Sequence, residues 1–237
     1  MATGGPYAAV HARPDGESTV ARMATTAAEY GFAGVVVRNH GDAPASYDPA
    51  TIGETYGVDV VTGVEVRADD RSTASGYLGT HRPDHEIVAV HGGTETMNRF
   101  AVEQPPVDVL AHPMAGDGDV NHVVAKAAVE NGVRLEVSLA PVLRDAGGSR
   151  VRSIADLRKL AELIDQYDAP YVVSADPASH LQLRAPRELA ALGEVLGMDG
   201  EWVASGLAEW GRLAERNRER QSDAFVEPGV RRESDDE

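Results

Sequence analysis

Short β-branched runs alternate regularly with longer amphipathic segments, and this alternation constrains the fold more than any other feature of the sequence. The predicted strands are residues 7–11, 34–38, 59–67, 86–91, 107–111, 134–138 and 171–174. The predicted helices are residues 18–30, 96–102, 121–131, 153–168, 186–196 and 199–218. Some strands read as continuous valine runs, as at 35–37, which is typical of a parallel sheet covered on both faces. The pattern therefore predicts βαβ units with right-handed crossovers.

About seven strands in a chain of 237 residues favour an α/β fold of the TIM-like barrel type, with parallel strands surrounded by helices. An open, doubly wound sheet remains an alternative, because periodicity does not distinguish the two. We find no internal break, so residues 1–218 are predicted to form one domain. From residue 219 the sequence becomes polar and charged, and residues 219–237 are predicted to form a disordered acidic tail.

Several classes of protein are excluded by composition. There is no cysteine, which excludes disulfides and thiolate metal sites. No apolar run approaches the roughly 18 residues of a membrane helix, and the first residues do not resemble a secretory signal. The expected location is the cytoplasm, without a membrane partner.

The charge balance is strongly acidic and poor in lysine. The chain has 38 acidic and 22 basic residues, and only Lys126 and Lys159 are lysines. This composition indicates adaptation to molar salt, whereas an acidic protein from dilute cytoplasm would usually carry more lysine. At about 1 M salt the Debye length is about 3 Å, so the excess negative charge does not exclude an RNA partner.

Polar side chains follow the carboxyl ends of nearly all the predicted strands. In a parallel barrel these ends open onto one face, where functional sites are built. We therefore predict a barrel-mouth cluster consisting of His11, Arg13, Arg38, His40, Glu65, Arg67, His91, His112, Glu136, Asp176 and His180. A single histidine at a strand end is often structural, and Glu65 and Glu136 could instead pair with Arg67 or Arg134 inside the barrel. The convergence of many such residues favours a site.

Six segments together resemble the archaeal ribonuclease P protein component 3 family. They are Val-His-Ala-Arg-Pro-Asp-Gly at 10–16, Val-Val-Val-Arg-Asn-His at 35–40, Gly-Val-Glu-Val-Arg at 63–67, Asp-Val-Leu-Ala-His-Pro at 108–113, Ser-Ala-Asp-Pro-Ala-Ser-His at 174–180 and Leu-Arg-Ala-Pro-Arg-Glu-Leu at 183–189. The resemblance covers nearly the whole chain and implies a TIM-like barrel.

The resemblance also implies a function. The chain would be a subunit of the ribonuclease P endonuclease, which removes the 5′ leader of precursor tRNA. Its partners would be the ribonuclease P RNA and other protein subunits. The RNA would carry the chemistry with Mg²⁺, and this chain would bind and scaffold it without being the catalyst or holding a cofactor.

The same family is similar to the polymerase and histidinol phosphatase (PHP) barrel hydrolases, which place His-x-His after the first strand. Here His11 keeps the first position, but Arg13 stands at the second, and His180 is displaced from the final Asp-x-His. A permanent cation would repel divalent ions, so we expect no metal on the chain.

Two enzyme readings stay open as alternatives. The first is a PHP-type metal-dependent phosphoesterase that uses His11, Glu65, His91, His112 and Asp176. The second is a metabolic barrel enzyme with His112 as the acid or base, although no motif specifies its substrate.

Arginines near strand ends and helix starts are the predicted RNA contacts, because guanidinium groups hold phosphates without reading sequence. The candidates are Arg13, Arg38, Arg67, Arg82, Arg184 and Arg187. Aromatic residues, at 5%, are too sparse for a base-stacking platform.

Overall fold

Seven parallel strands form a single curved sheet in the computed structural model, which describes residues 4–222, 225–227 and 230–231. The strands are β1 (Tyr7–Val10), β2 (Gly34–Val37), β3 (Asp59–Val66), β4 (Ile87–His91), β5 (Val109–Ala111), β6 (Arg134–Ser138) and β7 (Tyr171–Ser174). Their hydrogen-bonded order follows the chain from β1 to β7, and every pair is parallel. A doubly wound sheet would reverse its order, so the predicted TIM-like α/β barrel is confirmed.

Helices follow the strands, and those that precede the last helix cover the outside of the sheet. They are α1 (Val20–Glu29), α2 (Pro49–Tyr56), α3 (Arg71–His81), α4 (Glu95–Val102), α5 (His122–Asn131), α6 (Ala140–Arg144), α7 (Gly147–Tyr167), α8 (Pro186–Leu196) and α9 (Gly200–Gln221). The sequence did not predict α2, α3 or α6. Helix α2 buries no residue fully and α3 buries only Ala74 and Leu78, so neither shows an apolar stripe. Their N-terminal caps, Asp48 and Asp70, are the local signals that start them.

The inside of the barrel is packed with side chains and is not a channel. Alternate strand residues point inward and form one apolar layer with three residues of α9. This layer consists of Tyr7, Ala9, Val36, Val61, Ile87, Ala89, Val109, Ala111 and Val172, together with Trp210, Leu213 and Ala214. The opposite face of the strands packs against the helices, so valine occupies both faces.

Helix α9 closes the gap between the first and last strands, which are not hydrogen-bonded to each other as strands. Trp210 is fully buried there, and its Nε1 donates to the carbonyl of Val173 at 2.9 Å. A Cβ on Gly211 would lie 2.4 Å from the ring of Tyr7, so glycine at this position allows the helix to lie directly against β1.

The base of the barrel, at the amino ends of the strands, is sealed by ion pairs from the last turns of α9. Arg218 pairs with Asp59 at 2.8 Å and also with Glu86. Arg216 pairs with Asp108 at 2.9 Å. These contacts fix the helix across the end of the barrel opposite the mouth.

Helix α9 continues to Gln221, so the predicted domain end at residue 218 falls inside a helix. Residues Phe225–Glu227 (β8) and Val230–Arg231 (β9) form an antiparallel pair where the sequence predicted a disordered tail. The remainder of that prediction concerns residues 223–224, 228–229 and 232–237, which lie outside the described residues. Within the described part of the chain, no helix is long and apolar enough to cross a membrane.

Candidate functional site

The strand residues that point into the barrel become polar at the carboxyl ends of the strands. Side chains two residues apart share a face, so the inward series along β1 and β2 end in His11 and Arg38, one residue after each strand. Together with residues from the loops that follow the strands, these groups form one polar site. We call it the mouth cluster, and its members are His11, Asp15, Arg38, His40, Glu65, His91, His112, Glu136 and Asp176.

Arg38 lies at the centre of the mouth cluster and is wholly buried. Its Nη2 is 2.7 Å from Glu136 Oε1 and 2.8 Å from Asp176 Oδ1, and its Nη1 is 3.3 Å from Glu65 Oε2. The guanidinium also lies 5.6 Å from the ring centre of Trp210, a cation–π contact from below. A single fixed positive charge therefore bridges three carboxylates.

The pKa values of these groups reflect the shared charge. Burial alone would lower the pKa of Arg38, but Glu136, Glu65 and Asp176 hold it above its ordinary value. Burial would likewise raise the pKa values of Glu65 and Asp176, but the Arg38 guanidinium and the nearby histidines hold both well below the usual range. These carboxylates consequently stay ionised in the interior.

Four imidazoles form an arc around Glu65. The ring centres of His11 and His40 are 5.0 Å apart, those of His40 and His91 5.8 Å, and those of His91 and His112 4.9 Å. The Glu65 Oε1 atom lies 2.5 Å from His91 Nδ1 and 3.6 Å from the Nε2 atoms of both His40 and His112. His11 Nε2 lies 3.0 Å from Asp176 Oδ1.

Asp15 belongs to the cluster although the sequence analysis did not select it. Its carboxylate lies 2.7 Å from His11 Nδ1 and 2.9 Å from His40 Nδ1, and it accepts the His40 backbone N–H at 3.0 Å. Burial opposes ionisation, but the hydrogen bonds from His40 lower the pKa of Asp15. Asp15 lies in the loop after β1, so a search limited to strand ends could not find it.

The two histidines bonded to Asp15 have raised pKa values. For His40 the largest cause is its interaction with Glu65, opposed by burial and supported by Asp15. For His11 burial is the largest influence and would lower the pKa, but Asp176 and Glu65 raise it above the ordinary value.

Two members of the cluster have left-handed backbone conformations. His112 has φ 49° and directly follows β5. Asp176 has φ 45° and lies two residues after the end of β7. Residues other than glycine adopt this region at a cost, and it persists where the surroundings impose it. The His112 backbone N–H donates to Glu136 Oε2 at 3.0 Å, and Ser174 Oγ donates to Glu136 Oε1 at 2.6 Å. Glu136 thus ties the ends of β5, β6 and β7 together.

Three residues predicted for the cluster lie outside it. The Arg13 side chain is exposed, and its Nε donates to the Glu17 carbonyl. His180 bonds to Ser18, and the half-exposed Arg67 lies 3.5 Å from Asp42. The cation at the centre of the mouth is therefore the buried Arg38 and not Arg13, the residue that the sequence predicts.

Two of the predicted RNA contacts, Arg38 and Arg82, are engaged by carboxylates of the chain itself. Arg38 has no exposed surface. Arg82 is held by Asp108 at 2.5 Å at the base of the barrel, away from the mouth. The suggested pairing of Glu65 and Glu136 with Arg67 or Arg134 is wrong as well, since Arg38 binds both and Arg134 pairs with Glu209.

The remaining arginine candidates are exposed. Arg13 follows β1, Arg67 follows β3, and Arg184 and Arg187 lie between β7 and the first turn of α8. All four positions are therefore on the mouth side of the barrel, where the carboxyl ends of the strands open.

Fold and mouth cluster together define an α/β-barrel protein whose ionisable groups are collected at the carboxyl ends of its strands. The model of the ribonuclease P subunit p30 family matches residues 7–222. A curated ribonuclease P protein component 3 from Haloarcula marismortui is 61% identical over 229 residues, which are 97% of each chain. The chain therefore belongs to the ribonuclease P subunit p30 family.

Solved structures show where else this fold occurs. A chain in the cryo-EM structure of archaeal ribonuclease P with mature tRNA aligns with a TM-score of 0.80 and 21% identity, covering 98% of this chain and 100% of that one. The histidinol phosphate phosphatase of Lactococcus lactis aligns with a TM-score of 0.52 and 12% identity, covering 81% and 94%. At sequence identities of 21% and 12%, these similarities show a shared fold and nothing further.

Proposed function

We propose that the chain is a protein subunit of ribonuclease P that binds and scaffolds the catalytic RNA during removal of the 5′ leader from precursor tRNA. The observation that carries this proposal is the family match over residues 7–222, which includes nearly the whole described barrel. The fold of a chain in archaeal ribonuclease P, with coverage of 98% and 100%, supports it. The other subunits and the RNA would be its partners, and the enzyme would operate in the cytoplasm.

The centre of the mouth cluster argues against a phosphoesterase that depends on two metal ions. Such an enzyme needs carboxylates free to bridge ions about 3.5–4 Å apart. Here the Arg38 guanidinium already pairs with Glu136 and Asp176, so the carboxylates that would hold a second ion are engaged. We infer that the phosphodiester chemistry belongs to the RNA with its Mg²⁺, and that this chain contributes binding.

The RNA-facing surface is proposed to be the mouth side of the barrel, through Arg13, Arg67, Arg184 and Arg187. Guanidinium forks hold phosphates by short-range geometry, which survives at a salt concentration where long-range attraction is screened. The chain's net charge of −16 would then serve solubility in molar salt without preventing RNA binding.

Reconstitution in molar salt tests the proposed function. Ribonuclease P RNA is assembled with the other protein subunits, with and without this chain, and cleavage of precursor tRNA is measured over a range of Mg²⁺ concentrations. We expect that omission lowers the cleavage rate or raises the Mg²⁺ required. Equal cleavage at every Mg²⁺ concentration would exclude the proposal.

A charge-reversal pair tests the proposed surface. Arg67→Glu on the mouth side should weaken RNA association and raise the concentration needed for full activity. Arg99→Glu is the matched control, because Arg99 is 62% exposed but lies in the last turn of α4, at the base of the barrel. Equal effects of the two changes would place the RNA elsewhere.

A further inference from the structure

The mouth cluster holds more negative charge than its arginine neutralises. Four carboxylates, Asp15, Glu65, Glu136 and Asp176, belong to it. Arg38 is the one guanidinium within 4 Å of any of them among the described residues, so an excess of three negative charges remains if the imidazoles are neutral. Arg144 donates to the carbonyl of Ala175 and makes no ion pair within 4 Å with any residue that the structure describes. Such an excess in a buried site requires a further cation or protons.

Arg38 neutralises the negative charge of carboxylates on only one side of the mouth cluster. Its Nη2 pairs with Glu136 and Asp176 at hydrogen-bond distance. Its Nη1 lies 3.3 Å from Glu65 Oε2, and this contact is not a hydrogen bond. Glu65 Oε2 is buried with no hydrogen-bond partner among the described residues. The side of Glu65 that carries Oε1 faces three histidine rings.

His40 is oriented as metal-binding histidines usually are. Its Nδ1 is hydrogen-bonded to Asp15 at 2.9 Å, which leaves the Nε2 lone pair directed away from that carboxylate. This Nε2 is buried and has no hydrogen-bond partner within the described ranges. A carboxylate on one ring nitrogen and a free second nitrogen is the arrangement that fixes the tautomer of a histidine ligand.

We propose that the mouth cluster binds one divalent transition-metal ion through His40 Nε2, His91 and Glu65, and that Arg38 takes the place of a second cation. The three ligand atoms lie within 4.8 Å of one another. A tetrahedral ion with ligands at about 2.0–2.2 Å needs its ligand atoms about 3.3–3.6 Å apart. The 3.6 Å from His40 Nε2 to Glu65 Oε1 is close to that spacing.

His112 completes a fourfold set, because its Nε2 is also 3.6 Å from Glu65 Oε1. Imidazole-rich sites suit Zn²⁺ and its neighbours in the first transition row better than Mg²⁺ or Ca²⁺, which prefer oxygen ligands. The ion would join the ends of β3, β4 and β5 as Arg38 joins those of β2, β6 and β7. This departs from the expectation of a metal-free chain, which rested on Arg13.

Zinc binding to the isolated chain tests the site without reference to ribonuclease P activity. The purified chain is stripped with a chelator, dialysed against Zn²⁺ in molar KCl, and assayed by elemental analysis and zinc-edge X-ray absorption. We expect one Zn²⁺ per chain with imidazole ligands. His91→Ala should lose this ion, and His122→Ala should keep it, because His122 is exposed at the start of α5.

Asp15→Asn provides a second variant that retains all the ligands. Loss of the carboxylate that orients His40 should weaken zinc binding by about 10–100-fold. Circular dichroism of each variant separates loss of the ion from loss of the fold.

Three outcomes would overturn the proposal. If wild type and His91→Ala bind the same amount of Zn²⁺, the ion is held by surface carboxylates. If no Zn²⁺ is retained by folded wild type, protons on the imidazoles balance the charge. Two ions per chain would contradict the role assigned to Arg38.

Discussion

Replacing Arg38 with methionine removes the only guanidinium that contacts the mouth carboxylates among the described residues. Methionine keeps an apolar stem but ends short of the guanidinium position, so the change removes the charge and the hydrogen bonds together with the packing of the head group. Glu65 and Glu136 are both 0% exposed and would remain as buried charges without their cation. Removing one partner of a buried ion pair costs about 3–5 kcal/mol. Typical domains are stable by about 5–15 kcal/mol, so Arg38→Met should lose a large fraction of the free energy of unfolding.

The measurement is urea unfolding followed by circular dichroism, at fixed molar salt and with a chelator present so that no metal ion compensates. Arg38→Lys keeps the charge without the fork and should fall between wild type and Arg38→Met. Arg67→Met is the control, since the exposed 3.5 Å contact of Arg67 with Asp42 is worth about 0–1 kcal/mol. A free energy of unfolding for Arg38→Met within about 1 kcal/mol of wild type would refute the account of the mouth.

Further changes test how the barrel is assembled. Gly211→Ala should lower the free energy of unfolding by about 1–3 kcal/mol, because the new methyl group meets the ring of Tyr7. Gly76→Ala in α3 has nothing within 4 Å of its Cβ and should instead raise it by about 0.5–1 kcal/mol, and the reverse order in thermal melts would contradict the packing of α9. Asp48→Ala removes the N-cap of α2 and should cost about 1 kcal/mol, whereas Asp48→Asn should cost little; equal losses in urea titrations would exclude capping as the cause.

The barrel was predictable because its strands are short, β-branched and separated by helices, and because their polar residues occur at the carboxyl ends. The same period-2 alternation accounts for the buried Arg38, which stands two residues after the inward-facing Val36. Arg38 belongs to the predicted mouth cluster and also to the predicted RNA contacts, but its buried side chain fits only the first of these predictions. The residue type suggested a surface role, whereas the alternation along β2 directs the side chain into the barrel.

The sequence pattern predicts neither the positions of the loop residues nor the short helices. By its spacing from His11, Arg13 stands at the second position of the His-x-His motif. Strand β1 ends at Val10, however, so the alternation of the strand no longer directs residue 13 inward. Asp15, two residues further on, returns to the mouth through its bonds to His11 and His40. The conformation of this loop, which turns Arg13 outward and Asp15 inward, depends on tertiary contacts such as the bond from the Glu17 N–H to the Ala178 carbonyl.

The most direct test of the central claim asks whether RNA-dependent processing accompanies this chain. The chain, carrying an affinity tag, is expressed in a haloarchaeal host, purified in molar KCl, and assayed for removal of the 5′ leader from precursor tRNA before and after nuclease digestion of the bound RNA. We predict that activity copurifies with wild type and with His112→Ala, and that digestion of the RNA abolishes it. A chain purified without ribonuclease P RNA, or cleavage that survives RNA digestion and vanishes in His112→Ala, would contradict the account.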